Sequence, residues 1–262
     1  MLEFLTYSAE KLQVLLLVFF RAAGLFITAP VIAHRSIPIV FKAGFAVILA
    51  IVLIPVVSQH TLPEIQSVWL LGMLAAKEML VGVIIGFFFT LLFAGVRMGG
   101  GIVSFQSGLI MANVFDPEAG SQISVVAEFW ALLAMLIFLA VDGHHAIISA
   151  FADSYRAIPV GTASFSGPAG ETLIKFSAYA FTMAVKISAP IIITLFLVSV
   201  TLGVVARTVP QMNIFIVGLP LKIGVGFLMM AITLPLFKTI VDQTLHYLDS
   251  NVLTVLNSMS TV

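Results

Sequence analysis

Apolar residues run almost unbroken through six stretches of the chain, at roughly 12–33, 41–57, 69–96, 125–141, 181–206 and 214–237. Their lengths suit helices, and the pattern predicts an all-α protein. Taken singly they are poor membrane spans. Arg21, Lys77 with Glu78, Glu128, Lys186 and Lys222 fall inside five of the six, where an ionised group costs at least ~2.5–3.5 kcal/mol on insertion scales. Lys42, at the end of a stretch, can reach an interface with its amine. Gly24, Gly82, Gly86, Gly95, Gly203, Pro190, Pro220 and Pro235 weaken, kink or end isolated helices. Such helices need neighbours, and their charges must pair inside a bundle or face a water-filled lumen.

Composition narrows the class. With 61% hydrophobic residues, 9% charged residues and a mean hydropathy of +1.18, too little polar surface exists to coat a soluble globule. A membrane-type chain spends about 20 residues per helix, so 262 residues are read as one multi-helix unit in contact with membrane lipid. Twelve basic and twelve acidic residues are scattered singly, unlike the clustered basic surface of a nucleic-acid binder, so no nucleic-acid partner is expected. Cysteine is absent, which excludes disulfides, iron–sulfur clusters and thiolate zinc sites. Glu3 and Glu10 stand where a cleavable signal would carry Lys or Arg, so the first helix is expected to be retained. Alternating the six stretches puts Arg35, Lys42, Arg97 and Arg207 on one side and Lys11, Arg156, Lys175 and Lys238 on the other, a tie that assigns no orientation.

Candidates for chemistry are few. In Asp142-Gly143-His144-His145 the adjacent histidines would point about 100° apart on a regular helix, and no HExxH or cysteine partner accompanies them. They are expected to cap or pack at a helix end, with Gly143 making the turn, and no metal or other cofactor is expected. "FDPEAG" lacks the spaced oxygen ligands of a calcium loop. Ser104 and Ser107 do not stand in G-x-S-x-G, so no catalytic residue is named and a non-enzymatic protein is expected. The stretch 158–172, "IPVGTASFSGPAGET", reads as a loop separating a helical hairpin whose turn is "ARTVPQMN", with Pro210 as breaker.

One segment stands apart, "RMGGGIVSFQSGLIMANVFDPEAGSQ" at 97–122. Gly99, Gly100 and Gly101 cannot sustain a helix without support and mark either a hinge or a close backbone approach. Beyond them Phe105, Leu109, Ile110, Met111, Val114 and Phe115 interleave with Gln106, Ser107, Asn113 and Asp116. That mixture is too polar to face lipid and too apolar for a free linker. A pore loop or plug is one reading, because irregular backbone at membrane depth survives only in protein or beside a water-filled cavity. An ordinary surface loop is the other.

Five collinear pieces, "APVIAHRSIP", "KEMLVGVIIGF", "FQSGLIMANVFDPEAGSQ", "DGHH" and "PQMNIFIVGLPLKI", resemble the FliR family, the R-type subunit of the flagellar type III protein export gate. Ser104 and Ser107 depart mildly from the small or apolar residues expected there. The resemblance implies membrane-associated helical hairpins with broken helices, forming part of a multi-subunit helical ring. Residues 1–170 would be a P-like part with a central plug loop at about 97–122, and 171–262 a Q-like hairpin. It implies the bacterial inner membrane at the flagellar basal body, with P-type and Q-type subunits (FliP, FliQ), FlhB and FlhA as partners. Unfolded flagellar proteins would be the cargo. In the plug, Gly99, Gly100, Gly101 and Gly108 would permit movement; Phe105, Leu109, Ile110, Met111 and Phe115 would fill the lumen; Gln106 and Asn113 would hydrogen-bond to hold it shut. Arg21, Lys77, Glu78, Glu128, Lys186 and Lys222 would be structural buried charges satisfied in the assembly. The equivalent subunit of a virulence injectisome, or a secondary transporter with a discontinuous-helix substrate site, is the alternative.

Overall fold

The computed structural model describes residues 2–34, 36–57, 67–109, 124–164, 167–211, 213–257 and 259. Among them the chain is all-α, with α1 (Leu2–Thr28), α2 (Ile39–Val57), α3 (Val68–Ser107), α4 (Val125–Ala140), α5 (Gly143–Ala157), α6 (Gly167–Thr208) and α7 (Ile214–Asn257). Helix α4 starts at Ser124, whose hydroxyl accepts the Ala127 N–H at 3.1 Å and caps it. Helix α5 lies outside every apolar stretch. Its sequence "GHHAIISAFADSYRA" is amphipathic, burying Ile147, Ala150, Phe151, Ser154 and Tyr155 on one face. Helices α3, α6 and α7 extend beyond their apolar centres, because backbone hydrogen bonding continues through polar residues that hydropathy does not mark. The loop read at 158–172 accordingly gives way to helix from Gly167, and Pro190, Pro220 and Pro235 lie inside helices that continue past them. By length and composition four described helices can cross a bilayer, namely Lys11–Thr28, Val68–Ser107, Gly170–Thr208 and Ile216–Asn257, and the broken pair α4 and α5 can make a fifth span.

Contacts divide the chain into two compact units that interleave along the sequence. The first comprises Met1–Leu91, Asp142–Phe176 and Leu245–Val262. Here α1 and α3 approach through small residues. A side chain on Gly82 would overlap the Arg21 carbonyl and lie 2.8 Å from the Leu25 nitrogen, and one on Gly86 would lie 2.7 Å from the Ala29 nitrogen. Gly24 returns the contact from α1 toward Met79 and Val83. This is small-xxx-small packing, in which backbones come close enough for hydroxyls to cross-link them. Thr28 Oγ1 donates to Val83 O at 3.1 Å, and Thr90 Oγ1 donates to Thr28 O at 2.7 Å. Beyond Thr28 the chain turns through Val31, a left-handed residue at φ 71°. The Lys42 ammonium bonds back to Ala33 O and His34 O at 3.0 and 3.2 Å.

The second unit comprises Leu92–Val141 and Ser177–Thr244. Ring pairs Phe93–Phe138 and Trp130–Phe237, at 5.6 and 5.4 Å, pack α4 against α3 and α7. Leu195 of α6 faces Gly226 of α7. The apolar window of α3 is 61% buried, whereas those of α6 and α7 are 17% buried. Two long helices therefore carry apolar faces that this chain leaves uncovered.

Candidate functional site

The described part of the 97–122 segment ends α3. The loop expected from residue 97 is helix as far as Ser107, so the boundary moves; the three glycines are helical because neighbouring helices support them. Gly95 and Gly99 face α6, where a Cβ on either would stand 2.8 Å from Ala180 O or 3.0 Å from Ala184 O. Gly100 faces α4, with the Ala127 Cα 2.6 Å from where its Cβ would be. Of the two readings open for these glycines, close backbone approach is the observed one at Gly99 and Gly100. Gly101 faces open space within 4 Å.

Helix α3 stops at Gly108, whose φ of +82° is left-handed and whose N–H bonds to Phe105 O at 3.1 Å. A glycine at this point closes the helix without the steric cost that a Cβ would meet. The site is also tight: a Cβ there would lie 2.7 Å from Leu219 Cδ1, just before Pro220 in α7. Ser107 is buried, bonds its hydroxyl to Ser104 O at 3.0 Å, and packs its Cβ toward Gly226. Phe105 is 69% exposed, while Gln106 and Leu109 are half-buried. Ile110, Met111, Asn113 and Phe115 lie outside the described residues.

Of the six charges expected to be buried, the structure brings two together. Arg21 and Glu78 are fully buried and joined at 2.5 Å between Nε and Oε2. Arg21 also donates to Ser154 Oγ and Ile158 O, each at 3.0 Å, and lies 4.2 Å over the Tyr155 ring. Glu78 Oε1 accepts the Gly161 N–H at 2.8 Å, and Gly161 is itself left-handed. A buried pair of this kind holds only when its remaining donors and acceptors are satisfied, which these contacts do. The other four are not buried within this chain alone. Glu128 pairs with Arg97 at 3.6 Å, but both side chains are about half exposed, where such pairs contribute at most ~1 kcal/mol. Lys186 is exposed and Lys77 and Lys222 are half-buried, because they lie on outward faces of α6, α3 and α7. Asp142, rather than Gly143, takes the left-handed turn before α5, at φ 58°.

The profile of bacterial export proteins, family 1, matches residues 12–248. The flagellar biosynthetic protein FliR of Bacillus subtilis is 38% identical over 230 residues, covering 86% of this chain and 88% of its own length. The FliR proteins of Escherichia coli and Aquifex aeolicus are each 32% identical, covering 82% and 92% of this chain and the same shares of their own. The chain belongs to the FliR family. Of the pieces that carry this family's resemblance, "KEMLVGVIIGF" contains Glu78, Gly82 and Gly86, and so supplies the carboxylate of the ion pair and the α3 side of the glycine contact in unit one. Within this FliR-family chain, sequence reasoning did not find Ser154, Tyr155, Ile158 or Gly161 as partners of the pair. No local signal marks them, since they stand more than 80 residues from Glu78 or 130 from Arg21 along the chain, except Tyr155 through its place on an amphipathic helix. The Ala180 and Ala184 contacts did have a signal, in the four-residue spacing of Gly95 to Gly99 and of Ala180 to Ala184.

Proposed function

We propose that this chain is a non-enzymatic subunit of the flagellar type III export gate, placed in the bacterial inner membrane at the basal body. In this reading it forms part of the conduit for unfolded flagellar proteins, together with P-type and Q-type subunits and with FlhB and FlhA. The observation that carries it is the uncovered length of the last two helices. Large exposed apolar residues run along α6 from Ile174 to Val204, and at 1.5 Å per residue those 30 steps span about 45 Å. A bilayer's hydrocarbon core is only about 30 Å thick, and fitting 45 Å into it requires a tilt beyond the usual range of up to ~40°. Lys186 stands exposed near the middle of this face, where lipid would impose its insertion cost and too far from either end to reach water. Neighbouring protein helices remove both difficulties by covering the apolar length and offering the lysine an acceptor. An assembly partly raised out of the bilayer follows, with 1–170 as the P-like part and 171–262 as the Q-like hairpin.

Within that assembly the last turn of α3 and the stretch following it are the plug. Helix as far as Ser107 anchors it, Gly108 turns the chain, and Phe105 with Leu109 begins the apolar filling that Ile110, Met111 and Phe115 continue. Gln106 and Asn113 supply hydrogen bonds. Native mass analysis of the gently solubilised complex tests the assignment: P-type and Q-type subunits should accompany this chain, and recovery of the chain alone or only with itself would favour a transporter. For the plug, Phe105→Ser with Leu109→Ser leaves the glycine contacts of α3 in place, so an assembled gate should leak ions. A tight gate of normal composition would remove the plug from the proposal.

A further inference from the structure

We propose that Asp142, His144 and His145 bind one divalent transition-metal ion of the zinc, nickel and copper class at the start of α5. On a regular helix the two histidines would diverge, which is why the sequence argued against a metal. The first turn of α5 is not reached regularly. Asp142 adopts φ 58°, ψ 29° immediately before the helix, and the side chains of His144 and His145 lean together, with one donor atom from each of the three residues within 4.8 Å of the other two. The imidazole rings are 4.2 Å apart, and Asp142 Oδ1 stands 3.4 Å from His145 Nδ1.

Two further observations favour a ligand. An aspartate at the N-cap ordinarily accepts a backbone N–H of the first turn, but Asp142 makes no side-chain cap bond, and its carboxylate is turned instead toward His145 Nδ1. His144 Nδ1 is buried and has no hydrogen-bond partner among the described residues, a costly state that turning the ring toward a bound ion would relieve. Asp142 and His145 are 70% and 69% exposed, so an ion has access.

Two imidazoles and one carboxylate are borderline nitrogen and oxygen donors, which suit zinc, nickel or copper better than magnesium or calcium. Donors in a tetrahedral zinc site stand roughly 3.3 Å apart for bonds of about 2.0–2.1 Å. Closing from 4.8 Å needs only side-chain rotation, at the exposed Asp142 and His145 and at the half-buried His144. Three protein ligands leave one position for water or for a side chain of another subunit.

Zinc titration of the full chain in detergent, purified without a polyhistidine tag and followed by calorimetry, tests the site. One equivalent should bind with a dissociation constant of about 10 µM or tighter. Affinity should fall by about tenfold or more in each of Asp142→Asn, His144→Gln and His145→Gln, and zinc should slow amide exchange across 143–147 in the unaltered chain. Absence of binding, binding that survives the double variant His144→Gln/His145→Gln, or indifference to Asp142→Asn overturns the proposal.

Discussion

Removing Glu78 probes the buried cluster of unit one at its most dependent point. In Glu78→Ala the Arg21 guanidinium stays fully buried, keeps Ser154 Oγ, Ile158 O and the Tyr155 ring, and loses the carboxylate at 2.5 Å. The Gly161 N–H loses its acceptor as well. An uncompensated buried charge costs about 3–5 kcal/mol and an orphaned amide about 1–3 kcal/mol. The sum, ~4–8 kcal/mol, is most of the ~5–15 kcal/mol that typically holds a domain folded. Replacing both partners, Arg21→Met with Glu78→Met, removes the charges together and should recover most of the ~3–5 kcal/mol of the uncompensated charge, leaving the Gly161 N–H and the Ile158 carbonyl unpaired at ~1–3 kcal/mol each. The charge swap Arg21→Glu with Glu78→Arg should not recover. Its carboxylate would face the Ile158 carbonyl and a Ser154 hydroxyl whose proton already goes to Phe151 O, and its guanidinium would face the Gly161 N–H. Chain level in membranes and the unfolding midpoint in detergent, measured for all three variants beside the parent, decide the matter. A Glu78→Ala midpoint shift worth less than ~0.5 kcal/mol, the range of an ordinary surface change, would refute the reasoning. So would a swap that recovers as fully as the methionine pair.

Gly108→Val places a β-branched residue at φ +82° and drives its Cβ toward Leu219, costing at least ~1–2 kcal/mol for the backbone alone; Gly101→Ala, helical and facing open space, should be neutral or gain ~0.5–1 kcal/mol. Equal unfolding midpoints for the two would contradict the turn at Gly108. Gly100→Leu meets the Ala127 backbone, which cannot rotate away, so its midpoint should fall well below that of Gly203→Leu, whose Cβ meets nothing within 4 Å. Lys186→Leu should leave the isolated chain's midpoint within ~0.5 kcal/mol of the parent while lowering the yield of intact complex by native mass; an undiminished yield would mean the lysine has no acceptor in a neighbouring subunit.

Hydropathy and length were enough to place six of the seven described helices and the turn between α6 and α7, because each of those helices carries a long apolar stretch and Pro210 with its polar neighbours interrupts the last two. Helix α5 escaped, since its single buried face is diluted by His144, His145, Asp153 and Arg156. Residue types out of place in apolar helices located several important residues without disclosing their geometry. Gly99 and Gly100 were legible as exceptional, yet whether they bend or pack depends on Ala184 and Ala127, 85 and 27 residues further along. Arg21 and Glu78 were legible as costly, but their pairing required α1 and α3 to meet through Gly24, Gly82 and Gly86. Local sequence carries helix propensity and apolar content because both act over a few neighbouring residues. Partners of a buried charge, the face a glycine presents and the convergence of Asp142 with His144 and His145 arise from backbone paths and long-range contacts, and only the tertiary structure decides them.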